Sequence, residues 1–368
     1  MERARTQEAS LFFVFLALLL SSSPIACGRV EAVDPDAADN HERDAAEPAS
    51  NEDANTAADA APAADADADP GEDVEPAWRP RSPSSPPSAR ARHAMAYESS
   101  VSRVIMFGGD DDKTWAWNGE SWSDVSGGGE RPDGLTGHSL AYDAERQQII
   151  YAGVSSSDLP ETWAWSGVTW ASLESSPFYG SHRLAYDAAR QRVVGFGGVN
   201  LNPTQAPART TGRWNGSEWT TASPDTPPDG RANHAMAYDT ARERIVLFGG
   251  FGQFNRLGDT WEWNGADWND VTPSAESPSP RTNHAMVYDE GLELVILFGG
   301  NDDDGELLDE TWTWDGVRWR KLELDERPPP RHRHAMAYDR ERAQIVLFGG
   351  DDDNGPVGDT WVFGKFEQ

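Results

Sequence analysis

Three hydrophobic patterns follow one another along most of this chain, always in the same order. The first alternates large and small residues with period two, as in His234-Ala-Met-Ala-Tyr238, and predicts a strand with two unlike faces. The second, Arg244-Ile-Val-Leu-Phe248, is a continuous apolar run that stops at Gly249-Gly250, as a strand buried on both faces does. In the third, Trp261 and Trp263 stand two apart and so leave the same side of a strand. Asn264-Gly265 then predicts a tight reversal, and Trp268 opens a fourth strand.

The whole series recurs six times, beginning at His93, His138, His182, His234, His284 and His334, spaced 44 to 52 residues apart. A period of that length marks stacked supersecondary units, and four short antiparallel strands with glycine and aromatic marks describe one propeller blade. The ends of the array fit a closed ring. The last copy stops at Trp361-Val-Phe363-Gly364 without its final Trp, while Trp78 stands 15 residues before His93, as Trp219 and Trp319 stand 15 before His234 and His334. A strand near Trp78 is therefore expected to complete the sixth blade and remove two open edges.

The double glycine, the Trp pair and the later Trp resemble the kelch repeat over about residues 78–368. Two copies depart from it: Ala152-Gly153 replaces the double glycine in the second, and Gly212 replaces the first Trp in the third. The resemblance implies an all-β, six-bladed propeller of kelch type.

Charge and the N-terminus narrow the setting. The formal net charge is −31, and residues 29–77 carry 16 Asp/Glu against Arg29 and Arg43, which leaves −17 elsewhere. Without clustered Lys and Arg, nucleic acid is not an expected partner. Arg3 and Arg5 precede the apolar run Leu11–Leu20, too short for a bilayer span but long enough for an export signal. Cys27 follows it as the only cysteine, and Ala26-Cys27-Gly28 resembles a bacterial lipobox with Pro24 where an aliphatic residue is usual.

The expected organisation is a signal peptide (1–26), an acidic Ala/Asp-rich disordered tether (27–76) and a propeller (77–368). The expected location is the bacterial cell envelope, with a lipid anchor at Cys27 and secretion as the alternative. An anchor of this kind holds a protein at a membrane surface without a spanning helix.

Most of the repeated chemistry reads as scaffold. The six histidines lack metal-ligand spacing within any copy, and a residue present in every blade serves the blade. The Trp residues and Tyr97, Tyr142, Tyr186, Tyr238, Tyr288 and Tyr338 belong to the core on the same argument. The copper radical of galactose oxidase, a kelch-type enzyme, needs a cysteine–tyrosine link that a lone Cys27 cannot supply. No nucleophile elbow or P-loop is present.

Function is expected where the repeat breaks, on the variable loops of one face, where 5 to 13 residues separate the second glycine from the first Trp position. Arg90, Arg231, Arg281 and Arg331 recur three residues before the repeat histidine and are expected to pair with carboxylates of neighbouring blades. Arg92, His332 and Arg333 are extra basic residues, and Phe178, Tyr179, Phe251 and Phe254 are bulky aromatics on the same loops. These seven form the expected ligand-binding face. Asp302, Asp304, Asp351 and Asp353 are candidate ligands for Ca²⁺, a hard cation that takes oxygen donors; no other cofactor is implied.

The expected function is that of a non-catalytic, monomeric binding module for a protein or glycan. The alternative is a carbohydrate-active enzyme similar to the six-bladed kelch epimerases of sialic acid metabolism.

Overall fold

The computed structural model describes residues 75–109, 111–134, 136–199 and 206–366. The expected signal peptide, tether and lipidation site at Cys27 lie outside the described residues. Among those described, no helix is long and apolar enough to cross a membrane.

The fold is an all-β propeller of six four-stranded antiparallel blades. In blade four the strands run Ala235–Asp239, Arg244–Phe251, Arg256–Trp263 and Trp268–Asp270, from the channel outward. The innermost strands touch their neighbours all the way round, first to sixth and back to first, and so enclose a central channel. Trp78 behaves as expected: Ala77–Arg81 pairs antiparallel with Thr360–Gly364 and becomes the outer strand of blade six.

Each blade is joined to the one before it by a repeated set of contacts. The outer-strand indole donates to a threonine hydroxyl on the third strand of the preceding blade: Trp122 to Thr360, Trp170 to Thr114, Trp219 to Thr162, Trp268 to Thr211, Trp319 to Thr260 and Trp78 to Thr311, at 2.8–3.1 Å. Buried indole N–H groups need such a partner, so the Trp and the Thr recur together. The double glycine has its own reason. Gly250 takes φ 101°, and a Cβ there would stand 2.7 Å from that of His234.

The four repeat arginines are fully or almost fully buried, and here the expectation is corrected. Each guanidinium pairs within its own blade: Arg90 with Asp111, Arg231 with Asp259, Arg281 with Glu310 and Arg331 with Asp359. The arginine lies on the connection entering its own innermost strand, beneath the carboxylate just before its own third-strand Trp. Its backbone reaches the preceding blade instead: Arg281 N–H donates to the Leu257 carbonyl at 3.2 Å, and the Arg281 carbonyl accepts from Gly250 N–H at 2.9 Å.

Candidate functional site

The residue just before each repeat histidine is what shapes the channel mouth. Arg92, Gly137, Ser181, Asn233, Asn283 and Arg333 all take positive φ, between 55° and 87°. In five of the six, the N–H runs along the rim to the carbonyl of the matching residue on the preceding blade. Arg92 donates to Arg333, Arg333 to Asn283, Asn283 to Asn233, Asn233 to Ser181 and Ser181 to Gly137, at 2.6–2.9 Å. Glycine and asparagine tolerate this region; arginine and serine do so only where the surroundings hold them. The rim is therefore a rigid backbone hoop, and it presents Arg92 and Arg333 on neighbouring blades.

Below the hoop lies a cavity of about 360 Å³. Its apolar lining comes from Met95, Met236, Met286 and Met336 with Leu140 and Leu184. Its charged lining is Arg92, Arg183 and Arg333, with no Asp or Glu. For a chain with twice as many acidic as basic residues, 62 against 31, that is a reversal of sign confined to the channel.

Arg183 was not singled out by the sequence reading. It follows His182, at the position held by Ala94, Ser139, Ala235, Ala285 and Ala335 in the other blades. A large cation where the repeat keeps a small residue was the signal that could have found it. Its guanidinium donates to the His182 carbonyl at 2.9 Å and has no ion pair among the described residues. Burial in the channel lowers its pKa from 12.5 to about 10, so the site favours an arriving anion.

Across the mouth, Arg333 donates to Asp351 at 3.1 Å, and His332 Nε2 stands 3.6 Å from the same carboxylate oxygen. His332 Nδ1 lies 3.4 Å from the side-chain amide of Asn301. Burial, then the Arg333 charge, push the His332 imidazole down to about 4 against the opposing pull of Asp351, so at neutral pH it is an uncharged base. The geometry brings Arg92, His332, Arg333 and Asp351 together.

The aromatic candidates are placed elsewhere. Phe178 is not on an exposed face: it is buried and stacks on His182 at 4.5 Å. It fills the space left by two glycines of blade three, since a Cβ on Gly195 or Gly212 would stand 2.5 or 2.7 Å from its ring. The missing Trp at 212 and the buried Phe178 are thus one substitution. Tyr179 is 37% exposed, Phe251 41% and Phe254 84%, and none of the three lines the channel.

The acidic loops hold themselves together rather than converging. Asp302 accepts the backbone N–H groups of Asp304 and Glu306 at 3.1 and 3.0 Å, and Asp352 accepts that of Asn354. Among the described residues, no three His, Cys, Asp or Glu side chains are grouped to hold a metal ion.

A family model described as the KLHDC2/KLHL20/DRC7 kelch-repeats domain matches residues 261–365. No curated protein matches the sequence significantly. Among solved structures, one titled "Structure of YjhT" matches with a TM-score of 0.59 at 15% identity, covering 76% of this chain and 95% of that one. At that identity the likeness carries the fold. The expectation of a non-catalytic protein- or glycan-binding module is not retained, and its carbohydrate-active alternative stands as the reading to be tested.

Proposed function

We propose that the chain is a carbohydrate-active propeller of kelch lineage, exported, whose substrate is an acidic sugar bound in the central channel. The observation that carries this reading is the channel lining: three arginines and no carboxylate inside an otherwise acidic protein. A neutral sugar would leave the positive charge of Arg92 and Arg183 without a counter-charge, whereas a carboxylate gains charge-assisted hydrogen bonds from them. The apolar lining of methionine and leucine suits the carbon face of a sugar or an acetyl methyl group.

Chemistry belongs at the mouth. The neutral imidazole of His332, with Asp351 on its Nε2 side, takes the proton of an anomeric hydroxyl as the ring C–O bond opens. The proton is returned when the ring closes on the other face, so atoms and charge balance without an external reagent. Arg333 and Arg92 stabilise the developing negative oxygen.

The test is exchange NMR of anomer interconversion. Catalytic amounts of protein should accelerate it for N-acetylneuraminate or galacturonate and leave galactose at its spontaneous rate. His332→Gln should lower kcat by about 10²–10⁴-fold, the range for loss of a general base, with little change in melting temperature. Because the base works uncharged, kcat/KM should stay level from neutral pH down to about pH 6, with no inflection at the ordinary imidazole pKa of about 6.5. Acceleration of galactose to the same extent would remove the charge argument.

A further inference from the structure

The three channel arginines are not one cluster. Counting round the ring, Arg183 belongs to blade three, Arg333 to blade six and Arg92 to blade one, so Arg183 faces the other two from the opposite wall. The electrostatics agree. Arg92 is lowered by burial and then by Arg333 beside it, whereas Arg183 feels burial alone and no other arginine. The channel therefore has two separate cationic poles.

Neither pole is neutralised by the protein. Asp351 offsets one charge by pairing with Arg333. Arg92 has no ion pair and no side-chain hydrogen bond among the described residues, and Arg183 has only the carbonyl of His182. Neither cation serves its blade, because blades four and five carry Asn233 and Asn283 at the Arg92 position, and five blades carry alanine or serine at the Arg183 position. One unmatched positive charge stands on each wall.

We infer that the ligand of this channel carries two separate anionic groups, one received by Arg183 and the other by the Arg92–Arg333 pole, as in a disaccharide of two uronic acids. This rests on the acidic-sugar reading above and narrows it. A single carboxylate can occupy only one pole and forgoes the charge-assisted hydrogen bonds of the other guanidinium, whereas a ligand with two separated anionic groups gains both. The cavity, about 360 Å³, falls within the ~300–1,000 Å³ of small-molecule sites, which suits a short glycan.

The repeat itself supplies the test variants. Arg183→Ala and Arg92→Asn each install the residue that other blades use at that position, so both should fold and melt like the parent. Calorimetric titration of the full chain would compare digalacturonate, galacturonate and the neutral disaccharide galactobiose. Digalacturonate should bind at least tenfold more tightly than galacturonate, with galactobiose weaker than both. Either substitution should reduce digalacturonate to the affinity of the single acid, and Arg183→Lys should restore part of the loss.

If galacturonate binds as tightly as digalacturonate, the two-pole inference fails while the acidic-sugar reading stands. If galactobiose equals the acids, or none of the three binds, the acidic-sugar reading fails with it. Should Arg183→Ala fold and bind digalacturonate unchanged, the Arg183 pole is no part of the site and the two-pole inference fails.

Discussion

One position just before the third-strand tryptophan shows how a single partner sets the state of a buried carboxyl. Asp259 is opposed by burial, but Arg231 and Trp261 outweigh that and hold it below the usual carboxylate range. Burial likewise opposes Glu310, yet bonds from Lys321, Arg281 and Trp312 bring it down to about 2. Glu161 occupies the same position in blade two, where residue 135 is leucine instead of arginine, and there burial wins and raises the pKa. The blade family thus contains its own arginine deletion. Arg231→Ala should carry Asp259 the same way, with its carboxyl pKa moving above the ordinary value in a ¹³C titration. Leaving one member of a mostly buried pair alone should cost about 3 kcal/mol, the lower end of the range for broken buried pairs because Asp259 keeps some exposure. A melting temperature within a degree of the parent would show that the pair contributes nothing.

Among the elements, the strand Ala77–Arg81 matters most for its length. It supplies the sixth link in the ring of indole–threonine bonds, Trp78 to Thr311, and its ring packs against Phe298 and Phe363 at 5.2 and 5.1 Å. Trp78 is fully buried, so its truncation to alanine should cost about 3–5 kcal/mol. Deleting residues 77–86 should cost more, because it also exposes the Thr360–Gly364 edge and opens the ring. Circular dichroism melts of the two variants would check the order, deletion below substitution below parent; an unchanged melt for the deletion would show that the ring does not depend on this closure.

This strand was legible in the sequence, and so were the blades, because their signals are local and recur in a fixed order: the glycine pair, the Trp pair, the later Trp and then the histidine. The channel was only half legible. Arg92, His332 and Arg333 stood out as extra charges, but their meeting with Asp351 depends on a rim hoop assembled from backbone positions about 50 residues apart. Arg183 was hidden inside a repeat word, and Phe178 looked like a loop aromatic because its space is made by two glycines elsewhere in the chain.

At the scale of the whole molecule, the repeat histidines make stability depend on pH in a way no single blade reveals. They sit at the joints: His93, His234, His284 and His334 each meet the phenylalanine of the preceding blade edge-on, at 5.4–5.8 Å, and His182 is stacked under Phe178. Burial first, then neighbouring charged groups, lower all five imidazoles, His93 and His182 to about 3 and the others well below 6.5. In the unfolded chain these groups return to a pKa near 6.5. The sign follows: below about pH 6.5 the unfolded chain binds more protons than the folded one, so the contribution is complete above that pH and is lost as pH falls toward 3. Five protons at about 1.4 kcal/mol per pH unit each give a slope approaching 7 kcal/mol per unit near pH 5. Carboxylate titration alone would place the loss lower, near pH 4. Urea midpoints measured between pH 8 and 5 should therefore be level above about 6.5 and drop steeply below it, in one cooperative transition because every joint weakens at once. A midpoint that stays constant down to pH 5 would mean that the imidazoles are not buried as neutral groups, and that the blades are held together by something other than the repeat word that marks them.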